Sequence, residues 1–376
     1  MIKKLFLILL VFLLYQPISC HAYDDDTAAK VQEYREEIDR SLEGAYDDDT
    51  KETLDQYGIS ADNPAAASQL RISDIIQSIW QSFINALTEP LKILGKLTAI
   101  CAFTVMIKSV GGDSPLGDTY DTAGVLVCIM ILYDSTSSAL SFVKSSLEDI
   151  SVFMTTYIPV FSSVLASNAN LSSAAGYYSV MFVLCEIISY AASNILLPFS
   201  GMVFALSIVS SVNGALQLDG AINSIKSAVK WLLTALMTIF TAVISIKGIA
   251  GAAADSVASR TVRFAASSFI PIVGGSVSEA YSTIYGSLGI IRSGVGLIGI
   301  AAVAVIALRP IITIAAFRLV ITIAGIINDL FGQKRFSALL NGLGGVLTIS
   351  LGIITALSMI FIISTAVIML TSMNSV

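Results

Sequence analysis

Histidine is almost missing from this sequence: one residue, His21, in 376, alongside only four cysteines. Once residues 1–22 are removed as a leader, no histidine remains. That excludes histidine general acid–base catalysis, a Ser-His-Asp triad and a His-ligated metal. Cys101, Cys128 and Cys185 stand singly in apolar runs, which reads as small buried hydrophobes and not as a disulfide framework. No two of the 26 glycines stand four apart, so both the GxxxG helix-pairing motif and the GxSxG nucleophile elbow are absent. A GxxxxGK[ST] phosphate loop is missing too, so nucleotide hydrolysis by that route is excluded. No basic patch with interleaved aromatics points to nucleic acid. Catalytic, cofactor-binding and metal-ligating sets are therefore all assigned as none, and the chain is read as a non-enzyme.

Charge is scarce as well. Only 13% of residues are charged and 55% are hydrophobic, with a mean hydropathy of +0.81; soluble domains run at about 25% charged. This composition specifies an all-α polytopic membrane protein. The acidic balance is local, because 13 of the 27 acidic residues lie between Asp24 and Asp55.

Three regions follow. Residues 1–22 have a Lys3-Lys4 start, an apolar stretch from Leu5 to Tyr15 and a Cys20-His21-Ala22 end, the pattern of a cleaved signal peptide. An uncleaved first helix is the alternative. Residues 23–72 form an acidic arm, placed outside the cytoplasm by that signal, with Ala22-Tyr-Asp-Asp-Asp-Thr27 repeated at Ala45–Thr50 and a short helix around Ala28–Leu42. Three adjacent aspartates point in different directions, unlike the alternating ligands of a calcium loop. Residues 73–376 make the membrane domain.

That domain opens with an amphipathic, interfacial helix carrying Ile75, Ile76, Ile79, Trp80, Phe83, Ile84 and Leu87 on one face, ended by Pro90. Apolar runs then fall at about 91–110, 122–143, 150–168, 177–198, 199–213, 231–250, 287–308, 310–328 and 346–371. Several are short of the roughly 20 residues a spanning helix needs, so seven to nine crossings are expected. A second amphipathic piece covers Ser224–Lys230, with Ile222, Ile225 and Val229 on one side. Arg260, Arg263, Lys334 and Arg335 would all prefer the cytoplasm, and strict alternation through nine spans does not satisfy them.

The stretch from Ala254 to Gly299 is the anomaly. It carries Asp255, Arg260, Arg263, Glu279 and Arg292 between two apolar runs, and Pro271 with Gly274 and Gly275 prevents one unbroken helix. A kinked or re-entrant segment near 265–285 is expected, covered by protein because lipid cannot satisfy its backbone. Gly294, Gly296 and Gly299 match GxGxxG, but no strand precedes them and no acidic residue stands at the required distance. They read as room for another helix backbone. Asp134, Glu186 and Arg318 lie in or beside apolar runs, where ionisable groups face a bundle interior or a wet cavity. They are candidates for a polar path, or for structural pairing such as Glu186 with Arg318. Arg260 and Arg263, three apart, share a helix face, with lipid phosphates as their plainer partner.

Arg260-Thr261-Val262-Arg263-Phe264, the run Phe269 to Gly275 and the flanking Ser276–Glu279 resemble the stage III sporulation protein AE family of endospore-forming bacteria. The likeness covers roughly residues 75–371 and leaves the acidic arm unmatched. It implies a mother-cell protein in the membrane surrounding the forespore. Its implied partners are the other stage III sporulation A proteins, including an ATPase and ring-forming members, and indirectly stage II sporulation protein Q. The implied role is a component of a secretion-like channel complex needed for late forespore gene expression. In that setting Arg260, Arg263, Pro271, Gly274, Gly275 and Glu279 would be packing or docking residues. The competing expectation is a secondary transporter built on a broken helix, with Asp134, Glu186 and Arg318 on its path.

Overall fold

A computed structural model describes residues 72–111, 115–167, 171–213, 216, 218–269 and 274–373, together with 40, 51 and 52. The expected signal peptide and nearly all of the acidic arm lie outside the described residues. No strand occurs among those described.

Helix α1 (Ile72–Ala86) is the expected amphipathic helix, and it shows Ile76, Trp80 and Ile84 on its exposed side. Pro90 does not end it. The helix stops at a turn on Leu87, and Pro90 falls in the first turn of α2 (Thr88–Gly111). There the missing N–H is one that a helix start leaves unbonded anyway.

Helix α3 (Pro115–Ser167) runs 53 residues with Pro159 inside it. Helix α4 (Leu171–Ala191) continues through a π-turn at Ala192–Leu196 into α5 (Leu197–Val212). Pro198 stands at the start of α5 and cannot donate one turn back, and Asn194 Nδ2 donates to Tyr190 O (3.1 Å) within the widened turn. Helix α6 (Asp219–Phe269) has 51 residues, and α7 (Gly274–Leu330) has 57, with Pro310 inside. Helix α8 (Lys334–Met373) closes the bundle. Between α7 and α8, Gly332 adopts φ +70°, Gly332 N–H donates to Asp329 O and Gln333 N–H to Asn328 O, both 3.0 Å. This is a Schellman stop, which only glycine enters without strain.

Six helices among the described residues are long and apolar enough to cross a membrane, not seven to nine. Three pairs of apolar runs merge: 122–143 with 150–168 in α3, the two runs of 177–213 in α4–α5, and 287–308 with 310–328 in α7. The polar residues and prolines that seemed to separate spans lie inside continuous helices. At 1.5 Å per residue α7 is about 85 Å long, nearly three times a hydrocarbon core of about 30 Å.

Contacts fix the directions. Gly124 of α3 lies against Phe336 of α8, and Phe153 and Tyr157 lie against Phe361, so α3 and α8 run parallel. Tyr177 meets Thr365 and Ser207 meets Gly342, so α4–α5 runs the other way. Lys226 meets Gly345 and Leu233 meets Gly352, which sets α6 parallel to α8. Gly296 meets Met369 near one end of the bundle, and α7 returns antiparallel. The buried faces follow the sequence period, with Ile222 and Val229 of the second amphipathic piece in the core and Ile225 packed against it. Cys101, Cys128 and Cys185 are buried as well.

This alternation explains why charge counting fails. Lys334 and Arg335 start α8 at the end where Lys108 pairs with Asp121 (2.7 Å) and Arg335 donates to Thr122 Oγ1 (2.8 Å). Arg260 lies beyond the opposite end, one turn past the contact between Asp255 and the start of α4. The two basic groups belong to opposite ends of the bundle, so no orientation puts both inside.

Candidate functional site

The anomalous stretch is where α6 and α7 outrun their neighbours. Helix α4 begins at Leu171 and α8 ends at Met373, both near the level of Asp255 and Gly296. Helix α6 nevertheless continues to Phe269, and α7 begins at Gly274. Residues 270–273, with Pro271, lie outside the described residues, so that part of the expected kinked or re-entrant segment near 265–285 lies outside them too. Gly274 and Gly275 open α7. Arg263 and Glu279 lie within α6 and α7 respectively, and Arg260 is exposed.

Asp255 anchors this stretch to the bundle. Its side chain is 2% exposed, and its two carboxylate oxygens accept the backbone N–H groups of Ser172 and Ser173, each at 2.9 Å. These are the second and third residues of α4, whose N–H groups have no partner within their own helix. An N-cap is ordinarily supplied by the residue just before the helix. Here it arrives from a different helix 82 or 83 positions along the chain. The negative charge also sits at the positive end of the α4 dipole. Gly251, one turn earlier on the same face, makes the approach possible, since a Cβ there would lie 3.0 Å from Ser173 Cα and Oγ.

On the α7 side the glycines serve a second contact. A Cβ on Gly299 would run into the Tyr157 ring, and one on Gly296 would lie 2.8 Å from Met369 Sδ and 3.4 Å from Phe161. The residues admitted are side chains of α3 and α8, not the helix backbone expected from sequence. Tyr157 is fully buried, and its hydroxyl donates to Val295 O (2.9 Å). It stacks between Phe153 and Phe161 at 5.5 and 5.6 Å, and Phe361 meets it edge-on at 5.3 Å. Tyr177 meets Phe161 edge-on at 5.2 Å, which brings α4 into the same aromatic seam. The anomalous stretch is thus held from both sides, through Asp255 on α6 and through the α7 glycines.

Asp134, Glu186 and Arg318 are not brought together. They sit on α3, α4 and α7, and all three are exposed on the outer surface instead of facing an interior cavity. Among the described residues no ion pair joins Glu186 to Arg318. Sequence reasoning did not single out Tyr157, and it named Asp255 only among the charges of the anomalous stretch, without its partner on α4. A faint signal for Asp255 was available in Gly251-x-x-x-Asp255, a small residue and an acid on one face of an alanine-rich helix.

Comparison with known proteins agrees with the sequence likeness. The family model for stage III sporulation protein AE matches residues 62–372. A curated relative, stage III sporulation protein AE of Bacillus subtilis (strain 168), is 25% identical over 244 residues, covering 64% of this chain and 61% of that protein. The match thus spans less than two thirds of that relative. No solved structure matches. With six helices fit to cross a membrane and a family match over most of its length, this chain is a multi-pass membrane protein that belongs to the stage III sporulation protein AE family.

Proposed function

We propose that this protein is a non-enzymatic membrane component of the secretion-like channel complex between mother cell and forespore, required for spore formation and late forespore gene expression. The family match over residues 62–372 carries the reading. In this reading the protein sits in the mother-cell membrane around the forespore, with its mature amino terminus outside the cytoplasm. It binds the ring-forming and ATPase members of the stage III sporulation A group and, through them, stage II sporulation protein Q. The α6–α7 ends beyond Asp255 are the docking element, with Arg260 and Arg263 as its charged face. Pro271, Gly274, Gly275 and Glu279 are assigned to the same docking element.

The transporter alternative draws less support. A carrier needs its ionisable groups around one internal site, whereas Asp134, Glu186 and Arg318 occupy separate outer faces.

The test is genetic. Deleting the gene should reduce heat-resistant spores by several orders of magnitude and silence a late forespore reporter, and the intact gene supplied only in the mother cell should restore both. Normal spore counts after deletion, or restoration only from the forespore, would contradict the reading.

A further inference from the structure

Helix α8 is the most enclosed of the six spanning helices, yet it lies open on one side near its start. Between Lys334 and Leu370 its exposed residues are Asn341 and Thr348 alone, two turns apart on one face. Going round α8 at about 100° per residue, Gly345 comes first, then Thr348 and Asn341, then Gly344, then Leu340, in steps of about 40–60°. The side chain of Lys226 on α6 lies across Gly345, and Gly325 of α7 rests against Leu340. Between them, no described atom lies within 4 Å of a Cβ placed on Gly344. Helices α6 and α7 thus flank α8 here without closing over it. The gap is a slit whose floor is the Gly344–Gly345 backbone.

Three cations stand on the walls of the slit. Lys226 is half-buried beside Gly345, with its Nζ over the glycine. Lys230 is exposed one turn further along α6, on the flank away from the buried Ile222 and Val229. Arg318 is exposed on α7 two turns before Gly325, which sets it level with Thr348. Ile321 and Ala324 turn the other flank of α7 into the core. Among the described residues none of the three cations has an ion-pair partner. The acids nearest along the same helices are Asp219, about 10 Å from Lys226, and Asp329, about 16 Å from Arg318, both toward the end of the bundle. Beside the cations, Trp231 of α6 and Leu319 of α7 are exposed.

We infer that this slit binds one anionic phospholipid, its phosphate held among Lys226, Lys230 and Arg318 and its glycerol end against the glycine floor. The height suits a headgroup. Helix α8 has 40 residues and is about 60 Å long, twice a hydrocarbon core of about 30 Å. A bilayer centred on it therefore has its boundary about 15 Å from the start of α8, the level of Gly344 and Gly345. Unpaired cations at that boundary need water or an anion. An arginine can grip two phosphate oxygens at once, and the lysine ammonium groups add charge without fixed geometry. Grouped cations also favour anionic over zwitterionic headgroups. The site does not depend on the channel-complex reading.

The test reconstitutes the full-length protein in nanodiscs of equal parts phosphatidylcholine and phosphatidylglycerol. After extraction into mild detergent, native mass spectrometry counts the lipid that each chain retains. One phosphatidylglycerol should remain, at about tenfold the occupancy of phosphatidylcholine. The triple variant Lys226→Gln, Lys230→Gln, Arg318→Gln should lose that preference, whereas Lys247→Gln, a cation elsewhere on α6, should keep it. Gly344→Leu leaves all three cations in place and should fold, because open space surrounds that position. Its side chain fills the slit and should expel the lipid. Melting temperatures near the parent's check that the variants are folded. Equal retention of the two lipids by the parent would overturn the inference, as would a triple variant that still prefers phosphatidylglycerol. Retention by folded Gly344→Leu would overturn it by reducing the effect to attraction at an open surface. Displacement of the lipid by inorganic phosphate would assign the cations to a free anion instead.

Discussion

Replacing Asp255 by alanine should lower the melting temperature of the detergent-solubilised protein by about 5–10 °C, among the largest losses for a residue outside the aromatic seam. Two backbone donors at the start of α4 would lose their only described acceptors in a site 2% exposed. Hydrogen bonds to a charged group contribute about 1.5–3 kcal/mol each, so the pair amounts to about 3–6 kcal/mol. Asp255→Asn should fall between alanine and the parent. Its amide oxygen still accepts one N–H, but its NH₂ turns a donor toward the other. A melting temperature unchanged in both variants, measured by intrinsic fluorescence, would show that the cap holds nothing. Because Asp255 secures α6 at the level where α6 and α7 leave the bundle, the loss should also make residues 256–292 more accessible to protease.

Gly299→Val should fail to accumulate in the membrane, and Gly299→Ala should accumulate poorly. The first added carbon falls on the Tyr157 ring, which cannot swing away because Phe153, Phe161 and Phe361 enclose it and Val295 O holds its hydroxyl. Overpacking a rigid core costs about 1–3 kcal/mol per intrusion, and a branched side chain adds a second. The cause can be isolated with a double variant. Tyr157→Leu alone should destabilise by leaving a cavity. Tyr157→Leu with Gly299→Ala should be more stable than the two separate losses predict, since the added methyl enters vacated space. Strict additivity would place the clash elsewhere.

The membrane class, the buried cysteines and the face carrying Ile222 and Val229 were legible in the sequence, because composition and a 3.6-residue period carry them directly. The number of crossings was not. Counting apolar runs treats Lys144–Asp149 and Arg309 as connections, yet helices tolerate a polar stretch and an internal proline when neighbouring helices support them. No glycine or proline interrupts α3 between Gly124 and Pro159, so nothing local stops it at the polar stretch. The amphipathic helix was read correctly and its end was not, because proline suits the first turn of a helix as well as it marks a stop. The Asp255 cap lay beyond reach for a different reason: it joins residues more than 80 positions apart, and their proximity is a property of the bundle. The exposed positions of Asp134, Glu186 and Arg318 likewise depend on which face each helix turns inward, and a lone charge in an apolar run does not reveal that.

The central claim is that the α6–α7 ends serve docking while Asp255 and the glycines serve packing. It is tested most directly by reversing Arg260 and Arg263 to glutamate in the chromosomal gene, then measuring heat-resistant spores beside membrane level and melting temperature. Separate packing and docking predict an inserted protein with the parent's melting temperature and spore counts reduced by orders of magnitude. Parental spore counts from the inserted double variant would contradict it.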